Sequence, residues 1–117
     1  MDPRVQTVVA LMESSYQREW SLESLAETIN LSPSYLCHLF KAETGVAPLH
    51  YLKTLRMTKA KELMESTFLN VKQIMHSVGV KDKCHFARDF KRMYGVPPTR
   101  FRARLRAAAA EANFASK

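Results

Sequence analysis

Two Cys-His pairs are the residues of this sequence that most invite chemistry: Cys37-His38 within LCHLF and Cys84-His85 within KCHFA. Four ligands of these types could hold a zinc ion. Each pair, however, is formed by neighbours in sequence, and neighbours on a helix point about 100° apart. A long helical stretch also separates the two pairs, so the sequence predicts no shared zinc site and no metal. A Cys37–Cys84 disulfide needs Cα atoms within about 7 Å and is not expected for the same reason. The reading in which oxidation of a thiol blocks binding stays open. Catalysis finds no foothold: there is no Gly-rich phosphate loop, no HExxH, and no acidic pair with an obvious base. The expectation is a protein that is not an enzyme and needs no cofactor.

The other candidate chemistry is ionic. The net charge of +7 is unevenly spread. Residues 1–80 hold eight Lys/Arg and eight Asp/Glu, whereas residues 81–106 hold nine Lys/Arg against Asp82 and Asp89. Such a block suits a polyanion, with nucleic acid the first candidate. Two cysteines are too few for a disulfide framework and fit a reducing cytoplasm. The densest apolar run, VVALM at 8–12, is far short of a membrane span, and no secretion signal precedes it.

The elements that must position these residues read almost entirely as helix. Val5, Val8, Val9, Met12 and Tyr16 recur at helical spacing after Pro3, predicting a first helix to about Arg18. Ser21 caps a second bearing Leu22, Leu25, Ala26 and Ile29. Ser32 caps a third, with Pro33 at its first position, core positions Leu36, Leu39 and Phe40, and Gly45 as its stop. Pro48 opens a longer helix with Leu49, Leu52, Leu55, Ala60, Leu63 and Met64, ending near Ser66 or Thr67. Asn70 and Gln73 form a capping-box pattern for a fifth helix carrying Val71, Ile74, Met75 and Val78, broken by Gly79. Asp82 caps a sixth with Phe86, Phe90 and Met93, closed by Gly95, and Pro98 opens a last one with Phe101 and Leu105. The fold class is all-α: seven helices and no sheet.

The chain repeats itself. A shift of fifty aligns Leu36 with Phe86, Phe40 with Phe90, Lys41 with Lys91, Gly45 with Gly95, Pro48 with Pro98 and Tyr51 with Phe101. The preceding helices align at 49 instead (Leu25 with Ile74, Ala26 with Met75, Ile29 with Val78), so the second turn has one extra residue. A duplicated unit of helix, tight turn and capped helix is a pair of helix-turn-helix motifs, whose second helix enters the DNA major groove. Opposite the core side, the first copy presents Ser34, Cys37, His38 and Lys41, and the second Lys83, Cys84, Ala87, Arg88 and Lys91. The helix from Pro48 to Ser66 would be about 28 Å long at ~1.5 Å per residue, against roughly 34 Å between successive major-groove faces. One chain could thus read a bipartite site without dimerising.

At these residues the sequence resembles the DNA-binding domain of the AraC/XylS family of bacterial transcription regulators. The resemblance runs over about residues 5–102, through SLESLAETINLSPSYLCHLFKAETGVAPLHYLKTLRMTKAKELM and VGVKDKCHFARDFKRMYGVPPTRFR. It implies two helix-turn-helix lobes (about 5–47 and 69–106) joined by a long linker helix (48–66), with an Ala-rich tail at 107–117. It implies binding to double-stranded promoter DNA and base reading by Ser34, Cys37 and His38 in the first recognition helix, and by Lys83, Cys84, Ala87 and Arg88 in the second. Lys41, Lys91, Arg100 and Arg102 are expected on phosphates, and Arg56 as a structural tie. Met75 stands where the family usually has Ala, and Val80 where it usually has Phe. Activation would imply contact with RNA polymerase. The chain starts directly at helix one, leaving no room for a sensing or receiver domain; the expectation is a stand-alone member or an excised C-terminal piece lacking that domain. The competing readings are a basic helical protein-interaction module and a non-specific nucleic-acid binder.

Overall fold

The computed structural model describes residues 1–115, with side chains through residue 112; Ser116 and Lys117, the end of the Ala-rich tail, lie outside the described residues. Among the described residues seven helices follow one another: α1 (Pro3–Ser14), α2 (Leu22–Thr28), α3 (Pro33–Thr44), α4 (Pro48–Ser66), α5 (Val71–Ser77), α6 (Lys83–Tyr94) and α7 (Pro98–Ala115). No strand occurs among the described residues. The chain divides into two compact units, Met1–Arg56 and Met57–Lys117. The division falls inside α4, so the helix expected as a separate linker is shared between the units.

In the first unit, α1 stops at Ser14, four residues before the expected Arg18. Ser15 leaves helical geometry (φ −141°), and its carbonyl accepts a hydrogen bond from Trp20 Nε1 at 2.9 Å. Tyr16 therefore reaches the core from the loop. Val5, Val8, Met12, Leu25, Ala26, Leu36, Phe40 and Leu52 form that core, with Trp20, Ile29, Tyr51 and Leu55 packed around it. Ala26, nearly fully buried, lets α2 pack closely against α3. The second unit buries Met57, Ala60, Met64, Ile74, Met75, Val78, Phe86 and Phe90.

The duplication extends to backbone detail. After α2 the N–H groups of Asn30 and Leu31 return to Glu27 O (3.3 Å) and Ala26 O (3.1 Å). After α5 those of Gly79 and Val80 return to His76 O and Met75 O, both at 3.1 Å. Both are the paired bonds of a Schellman stop, which needs a left-handed residue after the cap. Asn30 (φ 55°) and Gly79 (φ 83°) supply it. The extra residue of the second copy, Lys81, falls between this stop and the next cap. Phe40 meets Tyr51 edge-on at 5.6 Å, and their counterparts Phe90 and Phe101 do so at 5.5 Å.

Two core assignments shift. Leu49 is exposed, while burial on α4 runs through Pro48, Leu52, Met57, Ala60 and Met64. Met93 is exposed too, because Tyr94 turns inward instead: its ring lies 4.8 Å from that of Phe90 and its hydroxyl donates to Met57 O at 3.3 Å.

Candidate nucleic-acid interface

Each unit presents one capped, glycine-stopped helix as the second member of its helix-turn-helix. On α3, Ser32 Oγ accepts from Tyr35 N (3.2 Å), Pro33 occupies the first turn, and Gly45 closes the helix at φ 85° with its N–H on Lys41 O. On α6, Asp82 Oδ1 accepts from His85 N (2.9 Å) and Gly95 closes at φ 82° with its N–H on Lys91 O. The His85 N–H, together with the adjacent imidazole, holds the Asp82 carboxyl below the usual carboxylate range. Leu36 and Phe40, and Phe86 and Phe90, turn one side of each helix into the core. The polar side is thereby fixed outward.

That side carries the residues expected to read DNA. In the first unit Ser34, His38 and Lys41 are exposed and Cys37 is half-buried. In the second, Lys83, Cys84, Arg88 and Lys91 are exposed and Ala87 is half-buried. Each set lies on one face of its helix. Arg88 Nε sits 3.7 Å from Asp89 Oδ1, with Arg88 more than half exposed and Asp89 largely covered. At 3.7 Å this is an ion pair through Nε and not a hydrogen bond. Arg100 is exposed at the start of α7.

Arg102 is not a surface cation. It is buried, and its guanidinium donates to the carbonyls of Met64, Thr67 (3.0 Å) and Leu69. Its place among the expected phosphate contacts is therefore corrected: it closes the end of α4, where helix carbonyls lack internal partners. The signal was present in the sequence. Pro98, Phe101, Arg102 and Leu105 share the i, i+3, i+4, i+7 face of α7, and the alternation Arg100, Arg102, Arg104, Arg106 sends only the second inward. Arg56 does the corresponding work in the first unit, donating from Nε to Tyr16 O (2.8 Å) and from Nη2 to Arg18 O (2.6 Å). It was expected as a structural tie, and half-burial lowers the proton affinity of its guanidinium.

Sequence reasoning missed Tyr35 and Arg4. Tyr35 is exposed beside Ser34, and the Arg4 guanidinium lies 5.7 Å from its ring centre while pairing with Asp2 at 3.0 Å. An aromatic next to Ser34 was the only cue, and the repeat aligns it with the exposed His85. Among the described residues no three His, Cys, Asp or Glu side chains come together as metal ligands. No described helix is long and apolar enough to cross a membrane.

Comparison with known proteins sets this geometry in context. A family model described as a helix-turn-helix domain, of the AraC type, matches residues 25–104. The chain is similar to the uncharacterized HTH-type transcriptional regulator YdiP of Escherichia coli K12, at 30% identity over 116 residues, covering 99% of this chain and 38% of that protein. Among solved structures it is similar to the C-terminal domain of AraT, a response regulator from Geobacillus stearothermophilus, with 35% identity and a TM-score of 0.82 over 87% of this chain and 85% of that one. It also resembles the DNA-binding domain of AdpA, a global transcriptional factor solved in complex with a target DNA (29% identity, TM-score 0.84, 92% and 96% covered). The chain spans little more than a third of the length of the curated relatives it matches first.

Proposed function

The chain belongs to the AraC/XylS family as its double helix-turn-helix DNA-binding domain, and from that premise we propose that it directs a transcription regulator to a bipartite promoter site. The family is one of transcription-regulator DNA-binding domains, which is not an enzyme class. One observation carries the reading: two helices fifty residues apart share cap, core face and left-handed stop, and both turn polar side chains outward. A merely basic surface has no use for that duplication.

In this reading α3 and α6 enter consecutive major grooves of one duplex. Ser34, Cys37 and His38 read one element; Lys83, Cys84, Ala87 and Arg88 read the other. The Arg88 fork suits the O6 and N7 acceptors of guanine. Lys41, Lys91 and Arg100 hold phosphates, and the N-terminal turns of the two helices add backbone N–H groups. In this reading the regulator is bacterial and cytoplasmic, and activation would run through contact with RNA polymerase.

Selection from a randomised duplex pool at physiological salt, followed by sequencing, tests the proposal. Two unlike, non-palindromic elements centred about 10–10.5 bp apart are expected. A single element would leave one unit gripping phosphate only. Absence of enrichment would overturn sequence reading in favour of an interaction module or a non-specific binder.

A further inference from the structure

The second unit carries a surface that DNA reading leaves unexplained. Phe68, in the loop after α4, is fully exposed. Beside it lies a depression lined by Met64, Leu105 and Ala109. A second depression, lined by Val71, Ala103 and Thr99, adjoins it, and Arg102 and Arg106 line both. The linings are mainly apolar, and Glu65 is the single acid among them. No residue of α6 contributes to either.

The electrostatics of this double groove lean positive, with Arg102 and Arg106 against Glu65. Arg102 is more than nine-tenths buried, its guanidinium meets three carbonyls, and its Nε finds no acceptor among the described residues. Carbonyl dipoles orient that charge without neutralising it. Arg106, which lines the same two depressions, is exposed, and α7 contains Arg100, Arg102, Arg104 and Arg106 with no acid before Glu111. An exposed aromatic beside an apolar groove with a cationic rim has the make-up of an interface anchor. A second copy of this chain is a poorer occupant: its residues 57–117 carry +8, and in residues 1–56 six acids are offset by five cations.

We propose that this double groove binds an acidic amphipathic helix of a partner protein, its apolar face covering Phe68 and the Leu105–Ala109 floor and its carboxylates meeting Arg106 over the buried Arg102. Helix-in-groove recognition needs an apolar stripe at i, i+3, i+4, i+7 on the ligand; the rim adds a requirement for flanking acids. Because α6 lies outside the groove, the partner and a duplex can be held together.

The test uses the full chain and a fluorescein-labelled synthetic 18-residue helix with Leu and Phe on one face and Glu on the other. A scrambled peptide of the same composition serves as control. Anisotropy is expected to show binding of the ordered peptide, undiminished by saturating duplex, and at least about tenfold weaker binding of the scramble. Phe68→Ala should weaken the peptide by about tenfold while duplex affinity stays unchanged, and Arg106→Glu should weaken it as well. Absence of peptide binding, equal binding of the scramble, an undiminished Phe68→Ala variant, or displacement of the peptide by duplex would each overturn the proposal; the last would assign the face to phosphate. Dimerisation through this face, seen by sedimentation and lost in Phe68→Ala, would overturn it in favour of a second copy.

Discussion

Arg88 and Arg102 lie fourteen positions apart in the same basic block, yet their surroundings set them to opposite tasks. Arg88 is exposed on the outer side of α6, and in the proposed reading its fork meets a base edge. Truncating it to Ala is expected to cost about 1–3 kcal/mol of duplex affinity and to relax preference at one position of one element. A binding series over single-base variants checks this, and a uniform loss on every variant would make Arg88 a phosphate contact. Arg102 has all its observed bonds inside the protein. Replacing it with Met should lower unfolding stability by roughly 2–4 kcal/mol, since the carbonyls of Met64, Thr67 and Leu69 lose charged donors. Urea titration measures that loss. At temperatures where the variant stays folded, the salt dependence of DNA binding should match that of the parent.

At the level of elements, the caps and stops decide whether the reading helices exist. A Cβ built on Gly95 meets nothing within 4 Å, so its backbone (φ 82°), and not crowding, calls for glycine. Gly95→Ala is expected to destabilise by about 1–2 kcal/mol in thermal unfolding, and Gly95→Asn by less, because a left-handed conformation penalises most L side chains. Asp82 adds a dependence on pH. Its folded carboxyl is held below the ordinary value of 3.8, so the cap's contribution is complete above that value and is lost as pH falls through the folded one. Asp82→Ser keeps a capping oxygen without the titration; its acid unfolding profile should be flatter than the parent's, and coincident profiles would remove Asp82 from the acid response. These elements were legible in the sequence because caps, glycine stops and the fifty-residue repeat are local patterns. What escaped depended on tertiary contacts. The early end of α1 rests on the Trp20 bond to Ser15 O, and the inward turn of Tyr94 in place of Met93 rests on Phe90 and Met57. The buried Arg102 was masked because charge counts treat every arginine as surface.

Across the whole molecule, charge separates the units more sharply than sequence does. Residues 1–56 hold five Lys/Arg against six Asp/Glu, and residues 57–117 hold thirteen against five, giving −1 and +8 for the chain's +7. In the proposed reading the first unit therefore has little general attraction for DNA and depends on contacts from Ser34, Cys37 and His38. Unit two supplies most of the counterion release. With six to ten phosphates neutralised, affinity should fall by about 10³–10⁵ between 50 and 200 mM salt. Three expected phosphate contacts remain once Arg102 is set aside: Lys41, Lys91 and Arg100. Removing all three by substitution with Ala should flatten the slope of log K against log salt by about 2.7, at roughly 0.9 per phosphate, while leaving the order of preference among duplex variants intact. Filter-binding or anisotropy titrations across four salt concentrations give the slope, and a reduced variant panel at one concentration gives the preference. A slope unchanged within error would mean that other cations of the 81–106 block grip the backbone. Loss of preference with the flattened slope would instead place one of the three on a base, and comparison of the single substitutions would show which.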